Sequence, residues 1–303
     1  MRLKEVERGD TALYRMLTPF ISFVSGMRLP DAARAVFYHK DFFGGPMSAW
    51  TQATMRGEST WSVGERELIA AMTAKWNSCP FCIGAHGAIA ARVLGKPVVN
   101  DAMNDNPVQL SDAMKAVLPF LEKLTKIPDQ LTKQDAQAVL QKGVSVQALE
   151  DAIAACVLFN ITTRCADGLG YEMLDDGAFD KAAAMMLKRG YNARMGAHPA
   201  HPDHQVMAET LRKAVLEGPG VVTAELRQAI AKRAGGGPVI DEPYDDLAKK
   251  IDECAYKVTD DQVKVLVQKT GSEKAAYEVI VTAAMGAGLR QWDKAEHVLA
   301  EVK

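Results

Sequence analysis

The stretch from Ser62 to Pro97 most narrowly limits what this chain can fold into. Ser62-Val63-Gly64-Glu65 has the S-x-x-E form, in which a serine and a glutamate three residues later satisfy each other's backbone N–H groups. A helix therefore starts at Ser62. Leu68, Ile69, Met72 and Trp76 recur at helical spacing and give that helix one buried face over about four turns. Asn77-Ser78 interrupts it. Pro80 suits the first turn of a second helix, where its missing N–H costs nothing, and Gly95-Lys96-Pro97 stops that helix after Leu94. A break this short permits the two helices to pack side by side.

The same stretch holds the chain's most concentrated chemistry. Cys79-Pro80-Phe81-Cys82 opens the second helix, His86 follows four residues after Cys82, and Glu67 precedes Cys79 by twelve, giving E-x11-C-x2-C-x3-H. Cys79, Cys82 and His86 share one helical face. Unpaired N–H groups and the macrodipole at a helix start favour an anion, so a thiolate is at home there. His86, one turn on, is placed to take or shuttle a thiol proton. Glu67 either orients His86 or serves as a proton reservoir, provided the helices pack side by side.

This pattern resembles the active-site motif of alkyl hydroperoxidase D (AhpD)-like proteins, within the carboxymuconolactone decarboxylase superfamily. All four motif positions match, and the flanks Gly64 to Ile69, Phe159-Asn160 and Arg164 to Gly170 are similar too. The chain departs at Phe81, where the founding peroxidases carry a second histidine. The resemblance implies an all-α fold and a thiol-dependent antioxidant oxidoreductase, either a hydroperoxide peroxidase or a disulfide reductase. It implies Cys82 as the attacking thiol, Cys79 as the resolving thiol that closes a disulfide with it, and Glu67 and His86 as the proton relay. No bound cofactor is implied. A lipoyl-type dithiol, free or on a lipoyl-bearing protein, is the implied reductant, and a homo-oligomer the implied assembly.

Composition sets outer bounds. The 303 residues include 48% apolar and 24% charged, ordinary for a globular protein. A net charge of −2 gives no electrostatic case for nucleic acid or an anionic membrane. No uninterrupted apolar run is long enough to span a bilayer, and the apolar segment Met16 to Met27 lacks a cleavage signature. Five cysteines, an odd and low count, argue against a secreted disulfide framework and for a reducing, cytoplasmic setting. Cys156, Cys165 and Cys254 read as small hydrophobes in helices.

Elsewhere, residues 1 to 60 form short helices broken by Pro19, Pro30, Gly44-Gly45 and Pro46, and His39 stands beside aromatics with no nucleophile and acid completing a catalytic set, which reads as a structural role. Residues 98 to 107 read as a polar loop. Met114, Val117, Leu118, Leu121 and Leu124 mark an amphipathic helix over 111 to 126, and Thr132 caps the next. Val146 to Leu169 is a long buried helix, with Asn160 and Arg164 as satisfied core polar groups. Sustained period-2 alternation is absent, so the fold class is all-α.

The C-terminal third repeats part of the rest. An offset of 127 lays Thr132 on Thr259 and Asp151 on Glu278. An offset of 161 lays Ser62 on Thr223 and Arg66 on Arg227, with Gln228 where Glu67 stands. The difference in offset corresponds to the redox helix, which the second copy lacks. The expected organisation is thus 1–175 an AhpD-like domain with the redox site, 176–205 a linker, and 206–303 a degenerate second helical unit. His198, His201 and His204 in that linker have H-x2-H-x2-H spacing, but interleaved prolines keep a helix from aligning the rings and no cysteine or carboxylate cluster completes a ligand set, which argues against a metal site. Two other readings of the main motif stand as alternatives: a decarboxylase-like lyase, which would not need two thiols, and a structural metal module using Cys79, Cys82, His86 and Glu67.

Overall fold

The computed structural model describes residues 1–25, 28–191 and 201–303, and among these no strand occurs. The helices are α1 (Lys4–Arg8), α2 (Ala12–Ser25), α3 (Asp31–Phe37), α4 (Gly45–Arg56), α5 (Val63–Trp76), α6 (Pro80–Leu94), α7 (Lys96–Met103), α8 (Asp112–Lys126), α9 (Lys133–Leu140), α10 (Val146–Leu169), α11 (Asp176–Arg189), α12 (His204–Leu216), α13 (Ala224–Ala234), α14 (Tyr244–Cys254), α15 (Asp260–Thr270) and α16 (Glu273–Ala300). The all-α expectation holds. Helix α10 is long and apolar enough by composition to cross a membrane, yet 89% of its most apolar window is buried inside the protein, as in a core helix.

The chain forms two compact units, each discontinuous in sequence. One comprises Met1–Ser48, Ile161–Met173 and Gln205–Ala287; the other comprises Ala49–Asn160, Leu174–His204 and Gly288–Lys303 and contains the E-x11-C-x2-C-x3-H motif.

In the motif-bearing unit the expected helical hairpin is present. Ser62 caps α5 with a full capping box to Glu65. The α5 C-terminus closes as a Schellman motif: Cys79 N–H donates to Ala74 C=O and Ser78 N–H to Lys75 C=O, both 3.0 Å. Ser78 takes the left-handed conformation (φ 58°) that this motif usually gives to glycine. Pro80 then starts α6, with Cys79 as its N-cap. Gly64, at the start of α5, lies against Leu94 at the end of α6, where an added Cβ would come within 2.8 Å. The helices therefore run antiparallel and in contact along their length. Nearly every α5 residue from Gly64 to Ala74 is buried, and its weak amphipathicity is that of a helix covered all round.

Two elements differ from expectation. Residues 96–103 form α7 instead of a loop, because Gly95 (φ 94°) turns the chain, Pro97 fits a first helical turn, and Val99 and Ala102 bury one face. Residues 176–189, expected as linker, form α11, capped by Asp175 and anchored by Phe179 and Ala183. Two buried residues a turn apart are too sparse a pattern to stand out in a sequence. Helix α11 packs on α6: Phe179 sits over Gly84 and meets Phe81 edge-on at 5.8 Å, while Arg92 pairs with Asp180.

Within the other unit, Arg227 donates from Nη1 to Val215 C=O (2.8 Å) and from Nη2 to Gly218 C=O (2.7 Å). Arg66 in the motif-bearing unit donates to Thr54 and Gly57 C=O (2.8 and 2.9 Å), each partner being offset by the same 161 residues. Thr132 and Thr259, 127 apart, both head capping boxes. Gln228 is exposed on α13, whereas Glu67 is fully buried.

Because a Cβ at Gly84 would lie 2.7 Å from the Phe179 ring, Gly84→Val is expected to cost about 1–3 kcal/mol of stability through overpacking. A urea unfolding midpoint within error of wild type would contradict the described seating of α11 on α6.

Candidate active site

Helix α5 presents Glu67 and helix α6 presents His86 at the seam between them. Both are buried, and His86 Nδ1 lies 2.8 Å from Glu67 Oε2. Glu67 has further partners. Arg56 Nη2, from the last turn of α4, donates to Oε1 at 2.7 Å. The Tyr191 hydroxyl, just beyond α11, lies 2.9 Å from Oε1 and 3.1 Å from Oε2. Burial alone would raise the Glu67 pKa. The hydrogen bond from His86 and the charges of His86 and Arg56 outweigh it and hold the carboxyl below its usual range. Glu67 is thus an anion, and an anion only accepts hydrogen bonds. His86 Nδ1 must therefore donate, and in the neutral ring the lone pair then lies on Nε2. The Phe159 ring on α10 stands edge-on 4.2 Å from His86 and closes one side of the imidazole.

The two cysteines sit at the head of α6. Cys79 is the N-cap and Cys82 the third helical residue, so Cys79 lies just outside the helix that the spacing expected to hold both. They are 0% and 1% exposed, and no disulfide joins them. The expected disulfide is therefore not formed in this structure. Residue burial of this degree means that a reagent reaches the sulfurs only by entering the protein.

The four expected residues lie in one unit, on two packed helices. Arg56 and Tyr191 escape the sequence reading, since neither belongs to a motif and Tyr191 is 124 residues from Glu67. The signal that Arg56 did carry is weak: a cation at the end of a helix shortly before the motif. The metal reading of the motif fits poorly, because both Glu67 oxygens already accept hydrogen bonds and one of the donors is an arginine that a metal ion would repel.

The histidine segment meets a carboxylate from a distant helix, Asp151 on α10. His201 and His204 Nε2 lie 2.9 and 3.1 Å from Asp151 Oδ1; His198 lies outside the described residues. These three groups have metal-ligand proximity, within 4.8 Å of one another. Trp50 Nε1–H, however, donates to His204 Nδ1 at 3.1 Å. The neutral imidazole then carries its proton on Nε2 and gives it to Asp151, so that nitrogen has no lone pair for a metal. Ser59 Oγ donates to the other Asp151 oxygen at 2.5 Å. Burial would raise the Asp151 pKa, but these hydrogen bonds from His204 and Ser59 lower it.

The remaining candidates have structural roles. Asn160 donates to Thr125 Oγ1 (3.1 Å) and accepts from Asn77 (2.8 Å), and Arg164 donates to Asp252 C=O (3.1 Å). His39 Nε2 meets Glu278 Oε1 at 2.9 Å, an acid 239 residues away that the sequence reading did not find. Cys156 and Cys165 are buried, and Cys254 is partly exposed.

No protein-family model and no curated protein matches the chain. The chain is similar to several solved structures, two of them as follows. One is described as an alkylhydroperoxidase AhpD core, an uncharacterized peroxidase-related protein from Ralstonia eutropha JMP134, with 24% identity, 58% of this chain and 91% of that chain covered, and a TM-score of 0.48. The other is an uncharacterized peroxidase-related protein from Silicibacter sp. TM1040, with 22% identity, coverage of 56% and 88%, and a TM-score of 0.48.

Two outcomes are expected. In Glu67→Gln the single carbonyl oxygen is claimed by Arg56 and Tyr191, which turns the amide NH2 toward His86 and moves the imidazole proton to Nε2; nitrogen-15 NMR of the histidine ring reads this, and an unchanged Nδ1–H tautomer would refute the assignment. The second concerns acid. Glu67 and Asp151 have lowered folded-state pKa values, so their stabilisation is complete above the ordinary carboxylate range, about pH 4, and is lost as pH falls through the lower folded values. Urea midpoints should drop steeply below about pH 4, with a shallower drop in Glu67→Gln.

Proposed function

We propose that this chain is a dithiol oxidoreductase of the AhpD type that reduces a hydroperoxide. The observation that carries the reading is the Glu67–His86 hydrogen bond, which leaves a basic imidazole nitrogen one helical turn from Cys82. The resemblance of the E-x11-C-x2-C-x3-H stretch assigns the roles. His86 takes the Cys82 thiol proton. The thiolate attacks the outer oxygen of ROOH, the O–O bond breaks, Cys82 becomes a sulfenic acid, and the alkoxide leaves as ROH with the proton from His86. Cys79 then displaces water from the sulfenic acid to form the Cys79–Cys82 disulfide. An external dithiol of the lipoyl type, itself oxidised to a disulfide, restores both thiols.

The burial of both sulfurs favours a small hydroperoxide over a folded disulfide substrate. Phe81 favours the second reading, a disulfide reductase, because the histidine found there in the founding peroxidases is missing. A lyase would leave the paired thiols without a task. A reducing, cytoplasmic setting and a homo-oligomer belong to the same proposal.

Mass spectrometry of the peptide holding Cys79 and Cys82 tests it, before and after slight excess hydroperoxide. Loss of two hydrogens, reversed by dihydrolipoamide with catalytic consumption of hydroperoxide, is expected. Cys82→Ser should abolish turnover, and Cys79→Ser should stop it after one event with a trapped sulfenic acid. Disulfide formation without turnover would favour the reductase, and thiols inert to hydroperoxide would end the redox reading.

A further inference from the structure

Glu67 is held by more donors than a proton relay needs. Arg56 is fixed in turn, with Nη1 donating to Met55 C=O at 2.9 Å and the guanidinium 5.0 Å from the Tyr191 ring centroid. Tyr191 is anchored through its own N–H, which donates to Gln52 Oε1 at 2.6 Å. Its ring lies nearly parallel to that of His86, at 12° with centroids 6.4 Å apart. Its hydroxyl spans both carboxylate oxygens.

We propose that Tyr191 is a positioning residue which, with Arg56, locks Glu67 as a fixed hydrogen-bond acceptor for His86, so that Glu67 orients the imidazole and does not exchange protons with it. The proposal rests on the dithiol reading for its catalytic consequence, though not for its geometry. A carboxylate that relays protons near neutrality needs a raised pKa, as carboxylic acids in apolar sites have. Glu67 is buried as those are, yet its pKa is lowered. Tyr191 is pushed the other way, well above the usual phenol range, first by burial and then by the Glu67 charge, so its hydroxyl stays protonated and can only be a steady donor to that carboxylate. The titratable and charged groups around His86 are Glu67 on α5, Arg56 on α4, Tyr191 beyond α11 and the two thiols at the head of α6, while α10 contributes the apolar Phe159. The proton that leaves Cys82 therefore stays on His86 until the leaving alkoxide takes it.

Infrared spectroscopy of protein carrying carbon-13 glutamate tests this directly, with Glu67→Gln identifying the Glu67 band. Wild type should show no protonated Glu67 at neutral pH, either at rest or after a hydroperoxide pulse. Tyr191→Phe deletes one hydroxyl and keeps the ring. The Glu67 band of the protonated acid should then emerge at a higher pH than in wild type, and kcat should fall about tenfold at unchanged KM. 3-Fluorotyrosine in place of Tyr191, a stronger donor of the same shape, should move the band to lower pH and serves if Tyr191→Phe does not fold. A protonated Glu67 at neutral pH, or one that appears after hydroperoxide, would make Glu67 a relay and overturn the proposal. An unmoved band in a folded variant would reduce Tyr191 to packing. If hydroperoxide turnover is absent in wild type, the redox reading fails alone, since the resting acid titration still decides the role of Tyr191.

Discussion

One fully buried negative charge organises the motif-bearing unit. Glu67 sits inside a helix that is covered on nearly every side, and an isolated carboxylate there would cost several kcal/mol. Three elements supply what offsets that cost: Arg56 at the end of α4, His86 from the middle of α6, and Tyr191 beyond α11. Each donor fixes the register of its own element against α5. The arrangement of these four side chains and the packing of their helices are therefore one problem with one solution. Moving any of the elements would unpair the charge.

The turn before Cys79 shows how local geometry serves the same end. The Schellman closure uses the Cys79 N–H to finish α5, so this N–H is no longer available to a ligand. Cys82, by contrast, lies three residues into α6, among N–H groups that have no intrahelical acceptor. The two thiols thus stand in different backbone environments although only two residues separate them. That difference is a physical basis on which the two sulfurs could differ in reactivity.

The sequence made the hairpin of α5 and α6 legible because its signals are local: a cap, a helical period, a proline and a glycine. Glu67 and His86 could be named from spacing, but their pairing depended on antiparallel packing, for which Gly64 against Leu94 was a silent determinant. Arg56 and Tyr191 were out of reach because what joins them to Glu67 is tertiary. The same holds for Asp151 with His201 and His204, and for Glu278 with His39. Helix α11 was missed because only Phe179 and Ala183 are buried, a pattern too sparse to mark a helical face in the sequence. The absence of strands among the described residues was readable in advance, since lack of alternation needs no partner to be seen.

The two buried acids carry a consequence for how the polypeptide is partitioned. Asp151, in the first of the two similar stretches, takes its histidines from the segment leading into α12, where the second stretch begins. Glu278, in the second stretch, takes His39 from the segment leading into α4. Each compact unit is thus assembled from the lead-in of one stretch and the helical body of the other. Severing the chain between the stretches would not release two modules. It would yield two half-written pieces, each holding the histidine that pairs with the other's acid.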